Sequence, residues 1–173
     1  SAFLRLFSVR ADGSGSPSPV LEALQDLTAT SWSPDGKTLA MAVAETRGDG
    51  YDVVVAGEDK QLRLIAGGRG NQRAGRFSPD GRWIAYSSDE SGRTEIYLTD
   101  YPAAARRFLV SAGGGADPVW SREGRELFFR TGDQLMWVPI LSRAASPARR
   151  PRAYAITSPT SRATGSCPGS SCR

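Results

Sequence analysis

One pattern occurs three times in the chain: SWSPDGKTLAMA at 31–42, RFSPDGRWIAYS at 76–87 and VWSREGRELFFR at 119–130. Each copy keeps an aromatic residue, a serine, a glycine and then alternating apolar residues in the same order. The aromatic residues Trp32, Phe77 and Trp120 are 45 and 43 residues apart. A period of about 40 to 45 residues is typical of a four-stranded propeller blade. The repeat therefore predicts an all-β chain, a partial β-propeller of antiparallel blades.

Each copy contains a tight turn between two strands. Proline presets the first corner of such a turn, aspartate favours the next position, and glycine supplies the positive φ that closes it. The predicted turn residues are Pro34, Asp35, Gly36, Pro79, Asp80, Gly81 and, in the third copy, Gly124. The third copy has Arg122-Glu123-Gly124 in place of Pro-Asp-Gly. Because the turn explains both aspartates, we interpret them as structural and not as catalytic.

Further apolar segments complete the blades on both sides of these turns. Two more strands per unit are predicted at 51–55 and 62–65, at 95–98 and 108–110, and one at 135–138. Segments 4–9 and 20–24 resemble the outer half of a preceding blade. We therefore expect half a blade plus about three blades within residues 1–141, with units near 1–27, 28–70, 71–114 and 115–141. Glycine-rich runs join one blade to the next.

The SPDG-type hairpins, over roughly residues 3–140, resemble the WD-like repeats of the TolB family. The stretch FSPDGRWIAYSSDESGRTEIYLTDYP, followed by GGGADPVWSREGRELFFR, is similar to propellers that lie C-terminal to bacterial serine/threonine protein kinases. Similar propellers gate peptidases of the prolyl oligopeptidase and tricorn types. The resemblance implies a bacterial protein-binding, gating or scaffolding module, with any chemistry in another domain. It also implies a periplasmic or other extracytoplasmic location.

TolB-type propellers usually close with about six blades, within the range of about four to eight that propellers show. This chain supplies fewer than four. An open propeller leaves unpaired strand edges and a half-exposed apolar face. We therefore expect a fragment whose parent protein supplies the remaining blades.

The residue types exclude most catalytic sites. The chain has no histidine, which removes Ser-His-Asp and Cys-His catalysis and histidine-ligated zinc. The carboxylates Asp49, Asp52 and Asp59 lack the spacing of a calcium loop. The sequence predicts no cofactor, no metal and no enzymatic activity of its own, although the parent protein can be an enzyme.

The charge pattern favours a protein partner. The net charge is +4 and the pI is about 9.4, but no cluster of basic residues with aromatic partners precedes the C-terminal tail. Such a cluster is the usual mark of nucleic-acid binding, so none is predicted. No apolar run approaches the roughly 18 to 20 residues of a membrane span, so none is predicted either.

Propellers bind through loops at one end of the ring, where the connectors between blades and the loops between second and third strands meet. The residues predicted there are Arg69, Asn71, Gln72, Arg73, Asp89, Glu90, Arg93 and Asp117. We expect a protein-contact face of mixed charge at these loops. Ordinary solvated loops are the alternative.

From residue 142 to 173 the pattern stops, and the chain is rich in Ser, Arg, Pro and Ala. Two explanations stay open. One is a disordered basic tail. The other is a segment translated in a shifted frame, because the codons from Ala155 onward are compatible with a sequence resembling the next blade. We expect neither a structural nor a redox role for Cys167 and Cys172.

Overall fold

The computed structural model describes residues 4–23, 26–44, 50–140 and 152–153. Fourteen β-strands and no helix occur among them. The strands are β1 (Leu4–Ser8), β2 (Ser18–Ala23), β3 (Leu27–Trp32), β4 (Leu39–Ala44), β5 (Tyr51–Ala56), β6 (Leu62–Ala66), β7 (Gln72–Phe77), β8 (Trp83–Ser88), β9 (Glu95–Asp100), β10 (Arg107–Leu109), β11 (Ala116–Trp120), β12 (Glu126–Thr131), β13 (Gln134–Pro139) and β14 (Arg152–Ala153). In this part of the chain nothing forms a helix that could cross a membrane.

The strands form one two-stranded sheet and three four-stranded sheets, all antiparallel. We call β1–β2 the half blade, β3–β6 the first blade, β7–β10 the second blade and β11–β14 the third blade. Strands follow one another across each blade in chain order. The predicted fold, a partial propeller with half a blade and three further blades, is confirmed.

The third blade has a fourth strand that lies beyond the predicted propeller boundary at residue 141. Its residues Arg152 and Ala153 pair with Trp137 and Met136 of β13. The sheet therefore extends into the segment that the sequence assigned to the tail. Cys167, Cys172 and the rest of that segment lie outside the described residues.

The predicted turns close as their chemistry requires. Gly36, Gly81 and Gly124 adopt φ values of +71°, +70° and +69°, a region that L side chains rarely enter. In the first blade, the Ser33 hydroxyl donates to Asp35 Oδ1 at 2.6 Å and accepts the amide of Thr38 at 2.9 Å. The serine thus connects the turn to the strand that follows it.

The second blade repeats this arrangement, and the third blade keeps half of it. The Ser78 hydroxyl donates to Asp80 Oδ1 at 2.6 Å and accepts the amide of Trp83 at 3.0 Å. In the third blade, the amide of Glu126 donates to the Ser121 hydroxyl at 3.1 Å. Glu123, which replaces the aspartate, instead lies 3.5 Å from the guanidinium of Arg125 on the surface.

The core lies between blades. Strands β4 and β8 are buried on both faces because each is covered by a neighbouring blade on either side. Ile84, Tyr86 and Val53 pack between the first and second blades, while Leu98 and Phe129 pack between the second and third. Burial of apolar surface between radiating sheets therefore holds the blades together.

The first strands of the three blades lie side by side. The hydroxyl of Thr30 donates to the Gly75 carbonyl at 2.7 Å, and the Trp120 indole nitrogen donates to the Arg76 carbonyl at 3.0 Å. We call the exposed side of β3, β7 and β11 the axial surface. It carries Thr28, Ala29, Arg73, Arg76, Asp117 and Val119.

Candidate protein-contact surface

Two kinds of loop meet at one end of the blades. Residues 67–71 connect the first blade to the second, and residues 89–94 join β8 to β9. Asp89 Oδ1 accepts the backbone amide of Asn71 at 2.6 Å, and its other oxygen accepts the Asn71 side-chain amide at 3.0 Å. One carboxylate therefore fixes the connector to the loop of the following blade.

Hydrogen bonding also keeps this carboxylate ionised. The backbone amide of Asn71, followed by its side-chain amide, lowers the pKa of Asp89 below the usual value. Gly70 permits the approach, since its φ is +93° and an added Cβ would lie 2.4 Å from Asp89 Oδ1. The ionised Asp89 side chain thus binds the connector, and it joins the two loops to each other.

The other predicted contact residues are mostly accessible. Arg69, Arg73, Arg93 and Asp117 are exposed, while Asn71, Asp89 and Glu90 are half-buried. Gln72 differs, since only 1% of its surface is exposed. Its amide nitrogen donates to the Arg69 carbonyl at 3.1 Å and to the Ser88 hydroxyl at 3.2 Å. The Gln72 side chain therefore supports the connector from inside and is not accessible at the surface.

Ion pairs hold the β8–β9 loop in place. Arg107 Nη1 lies 2.8 Å from Glu90 Oε2, and Arg93 Nη2 lies 2.7 Å from Glu95 Oε1. The side chain of Arg93 nevertheless remains 63% exposed. Asp117 belongs to the axial surface and pairs with Arg130 at 3.1 Å. We call connector 67–71 together with loop 89–94 the loop end. The predicted contact residues are thus divided between the loop end and the adjoining axial surface.

Sequence reasoning missed Glu95, which organises the next connector. Only 3% of it is exposed, and it accepts a hydrogen bond from the Ser111 hydroxyl. The amides of Gly113 and Gly114 donate to its Oε1 at 3.2 and 3.0 Å. A signal was present, because the strand registers place Asp52 at the equivalent position of the first blade. An acidic residue recurs there, at the start of the third strand.

The environment of Glu95 favours its charged form. Burial alone would raise its pKa, but hydrogen bonds from Ser111, Arg93 and the two glycine amides together outweigh burial and lower the pKa. A buried carboxylate with four donors is a stable anchor for a glycine-rich loop. Glu95 therefore positions the loop end and does not itself reach solvent.

Three further carboxylates considered in the sequence, Asp35, Asp59 and Asp80, make local contacts. Asp59 pairs with Arg63 in the β5–β6 turn. Among the described residues, no three metal-ligating side chains form a group. Asp49 lies outside the described ranges. Asp35 and Asp80 each accept the backbone amide of the residue two positions further on.

Known proteins resemble this chain in sequence and in fold. A family model described as the TolB beta propeller domain matches residues 13–148. Uncharacterized protein Atu1656 of Agrobacterium fabrum is 29% identical over 104 residues, which cover 59% of this chain and 35% of that protein. A TolB-type structure from Agrobacterium tumefaciens aligns with a TM-score of 0.64 at 22% identity, covering 74% of this chain and 50% of that one. A puromycin-hydrolyzing peptidase of Mycobacterium tuberculosis aligns with a TM-score of 0.59 at 15% identity, covering 88% of this chain and 30% of that one.

These similarities differ in what they establish. The chain spans about a third of the curated relative and half of the TolB-type structure. At 22% and 15% identity the two solved structures show the fold alone. The family model, however, covers most of the sequence and includes all three hairpins that carry the repeat. The chain belongs to the TolB beta-propeller domain family.

Proposed function

We propose that this chain is a non-catalytic protein-binding part of a larger propeller, and that the loop end contacts the partner. The contact surface consists of connector 67–71 and loop 89–94 with their exposed arginines. Arg69 provides positive charge, Arg93 is exposed although it pairs with Glu95, and the half-buried Glu90 adds a carboxylate. Polar surfaces of mixed charge favour recognition of one partner over others.

One observation carries this proposal: contacts within the chain itself hold the two loops at this end. Asp89 accepts hydrogen bonds from Asn71 and so joins loop 89–94 to the connector, while Arg107 of β10 pairs with Glu90 of the same loop. Binding to such a surface loses little conformational entropy in the loops. The arginines therefore project from a rigid support.

The test uses the parent protein and a partner identified from it. The parent is captured from its source cells with bound proteins, and the recovered partner is purified. Binding is then measured for Arg69→Glu, a charge reversal at the loop end. Arg122→Glu is the matched control, because Arg122 is an exposed arginine in a turn at the opposite end. We expect the Arg69 variant to weaken binding about tenfold, or about 1.4 kcal/mol, and the control to bind normally. Equal affinities for both variants would refute the proposal.

A second candidate is an accessory propeller of an enzyme whose catalytic domain lies elsewhere in the parent. The likeness to the puromycin-hydrolyzing peptidase, of which this chain covers 30%, favours it. The sequence resemblance to kinase-associated propellers favours a kinase in the same way. The flanking coding sequence tests both, since a hydrolase or kinase domain in the same frame supports this candidate. A parent consisting only of propeller repeats rejects it.

A further inference from the structure

Two arginines of the axial surface have no acidic partner in the described part of the chain. Nine arginines there lie within 4.0 Å of a carboxylate oxygen, and Arg73 and Arg76 are not among them. Arg76 donates to the Thr30 carbonyl, and Arg73 makes a 3.5 Å contact with Asn71 Oδ1. The charge of Arg73 also lowers the pKa of Asp89, but by less than the hydrogen bonds from Asn71 do. Both guanidinium groups keep N–H donors available.

A β-bulge directs both side chains to the same face. In a regular strand, residues three apart point to opposite faces. Arg73 and Arg76 are nevertheless both exposed, because the pairing of β7 with β8 shifts between them. Ala74 within the bulge adopts a φ of +55°, which is unfavourable for a residue with a Cβ. Bulges of this kind re-aim side chains beside functional sites.

The two arginines border a cavity of about 290 Å³ between the first and second blades. Thr28, Ala29 and Tyr51 also line it. The guanidinium of Arg73 lies over the Tyr51 ring, 4.0 Å from its centroid. Such stacking holds a guanidinium by its face and leaves its edge free to donate. The cavity thus offers oriented donors beside apolar and aromatic surface.

The other two blades show that this pair is specific to the second blade. The same bulge occurs in β3 and β11, but the positions of Arg73 and Arg76 are Thr28 and Ser31 in the first blade. In the third blade they are Ala116 and Val119. The exposed Arg130 of that blade has its own carboxylate, Asp117, at 3.1 Å. The repeat architecture therefore does not require the two arginines.

We infer that Arg73 and Arg76, with Tyr51, form a binding site for an extended acidic peptide segment of a partner protein. Guanidinium groups match carboxylates through paired N–H donors, and the cavity accepts the side chains beside them. A nucleic acid would need a longer basic stripe, whereas Asp117 follows on the adjacent strand. The inference rests on the proposed function, because it names the chemistry of the segment that this module binds.

The test measures binding of a fluorescein-labelled tetraglutamate peptide to the full chain by anisotropy, with tetraglutamine as the neutral probe. Arg73→Gln/Arg76→Gln removes both donors. Lys37→Gln/Arg122→Gln removes the same net charge from exposed turns at the opposite end. Arg73→Lys/Arg76→Lys keeps the charge but loses the planar fork. Circular dichroism establishes that each variant folds.

We expect tetraglutamate to bind saturably and tetraglutamine to bind at least tenfold more weakly. The double glutamine variant should lose about tenfold in affinity, the double lysine variant less, and the turn variant none. Equal losses in the glutamine variant and the turn variant would overturn the inference, as would tighter binding of a single-stranded oligonucleotide. If the glutamine variant does not fold, the lysine variant decides, since unchanged affinity there contradicts a guanidinium site. If the native chain does not bind tetraglutamate while Arg69→Glu still weakens the partner contact, this inference alone is rejected.

Discussion

The first and second blades carry a carboxylate at equivalent positions, Asp52 and Glu95, but the hydrogen bonding around the two side chains differs. Glu95 begins β9. It accepts hydrogen bonds from Arg93, which precedes the strand, and from Ser111 and Gly114 in the connector that follows β10. Asp52, at the equivalent position of β5, has a buried Oδ1 without a hydrogen-bond partner in the described part of the chain. The two connectors explain the difference, because Ser111 follows Val110 where Gly67 follows Ala66.

The first connector has no room for the serine of the second. A Cβ on Gly67 would lie 2.6 Å from Asp52 Oδ1 and 2.8 Å from a methyl group of Leu64. The shorter aspartate and the glycine thus pack closely, whereas glutamate and serine exchange hydrogen bonds. One repeat position can therefore secure its connector by packing or by a polar network, and only the network creates a strong energetic dependence on one residue.

The largest expected effect comes from removing the network's centre. Glu95→Ala leaves the Ser111 hydroxyl and two glycine amides without their acceptor in a nearly buried site. Unsatisfied buried donors cost about 1 to 3 kcal/mol each, and partial access of water reduces the sum, so we expect a loss of about 3 kcal/mol. Urea unfolding measures this loss. A change below about 1 kcal/mol would show that the network does not stabilise the blade.

Removing one donor tests whether the network acts through the serine. The Ser111 hydroxyl donates to Glu95 and accepts the amide of Ile96 at 2.8 Å. Ser111→Ala ends both interactions, and we expect a loss of about 2 kcal/mol in the free energy of unfolding. In the double variant Glu95→Ala/Ser111→Ala the two losses should not add, because the residues share one network. Additive losses would separate the serine from the carboxylate.

The sequence predicted the features that depend on neighbouring residues. The SPDG turns follow from local proline, aspartate and glycine chemistry, and the 45- and 43-residue spacing indicates the blades. Glu95 was missed because its donors at Ser111, Gly113 and Gly114 lie 16 to 19 positions further on. In the sequence, Gly113 and Gly114 indicated only a connector between blades.

Three further features were not visible in the sequence pattern. Gln72 was predicted to lie in a loop of the contact face, yet it begins β7, and the adjoining strand and connector enclose it. Strand β14 has two residues in an Arg- and Pro-rich segment, so no apolar alternation could indicate it. The axial pair Arg73 and Arg76 depends on a bulge, which sequence spacing does not reveal.

Acid should weaken the second blade's network. The folded-state pKa of Glu95 is lowered, so its contribution is present above the unfolded-state pKa, near 4.5, and is lost as the pH falls through the folded-state pKa. We expect the stability difference between the native protein and Glu95→Gln to be constant near neutral pH and to shrink below about pH 4.5. Unfolding free energies measured from pH 7 to pH 3 give this difference. A difference that is unchanged at pH 3 contradicts a charged anchor.

The smallest expected effect is in the first blade. Asp52→Asn changes an oxygen that accepts no hydrogen bond in the described structure, so little favourable interaction is lost. We expect a change within about 0.5 kcal/mol in the free energy of unfolding, as for substitutions that remove no specific contact. The same substitution type at the second blade, Glu95→Gln, should cost more because it replaces an acceptor by an amide that faces donors. A loss at Asp52 as large as that at Glu95 would mean that the first connector also depends on a carboxylate. The two blades would then share one mechanism, and their different connectors would reflect side-chain size alone.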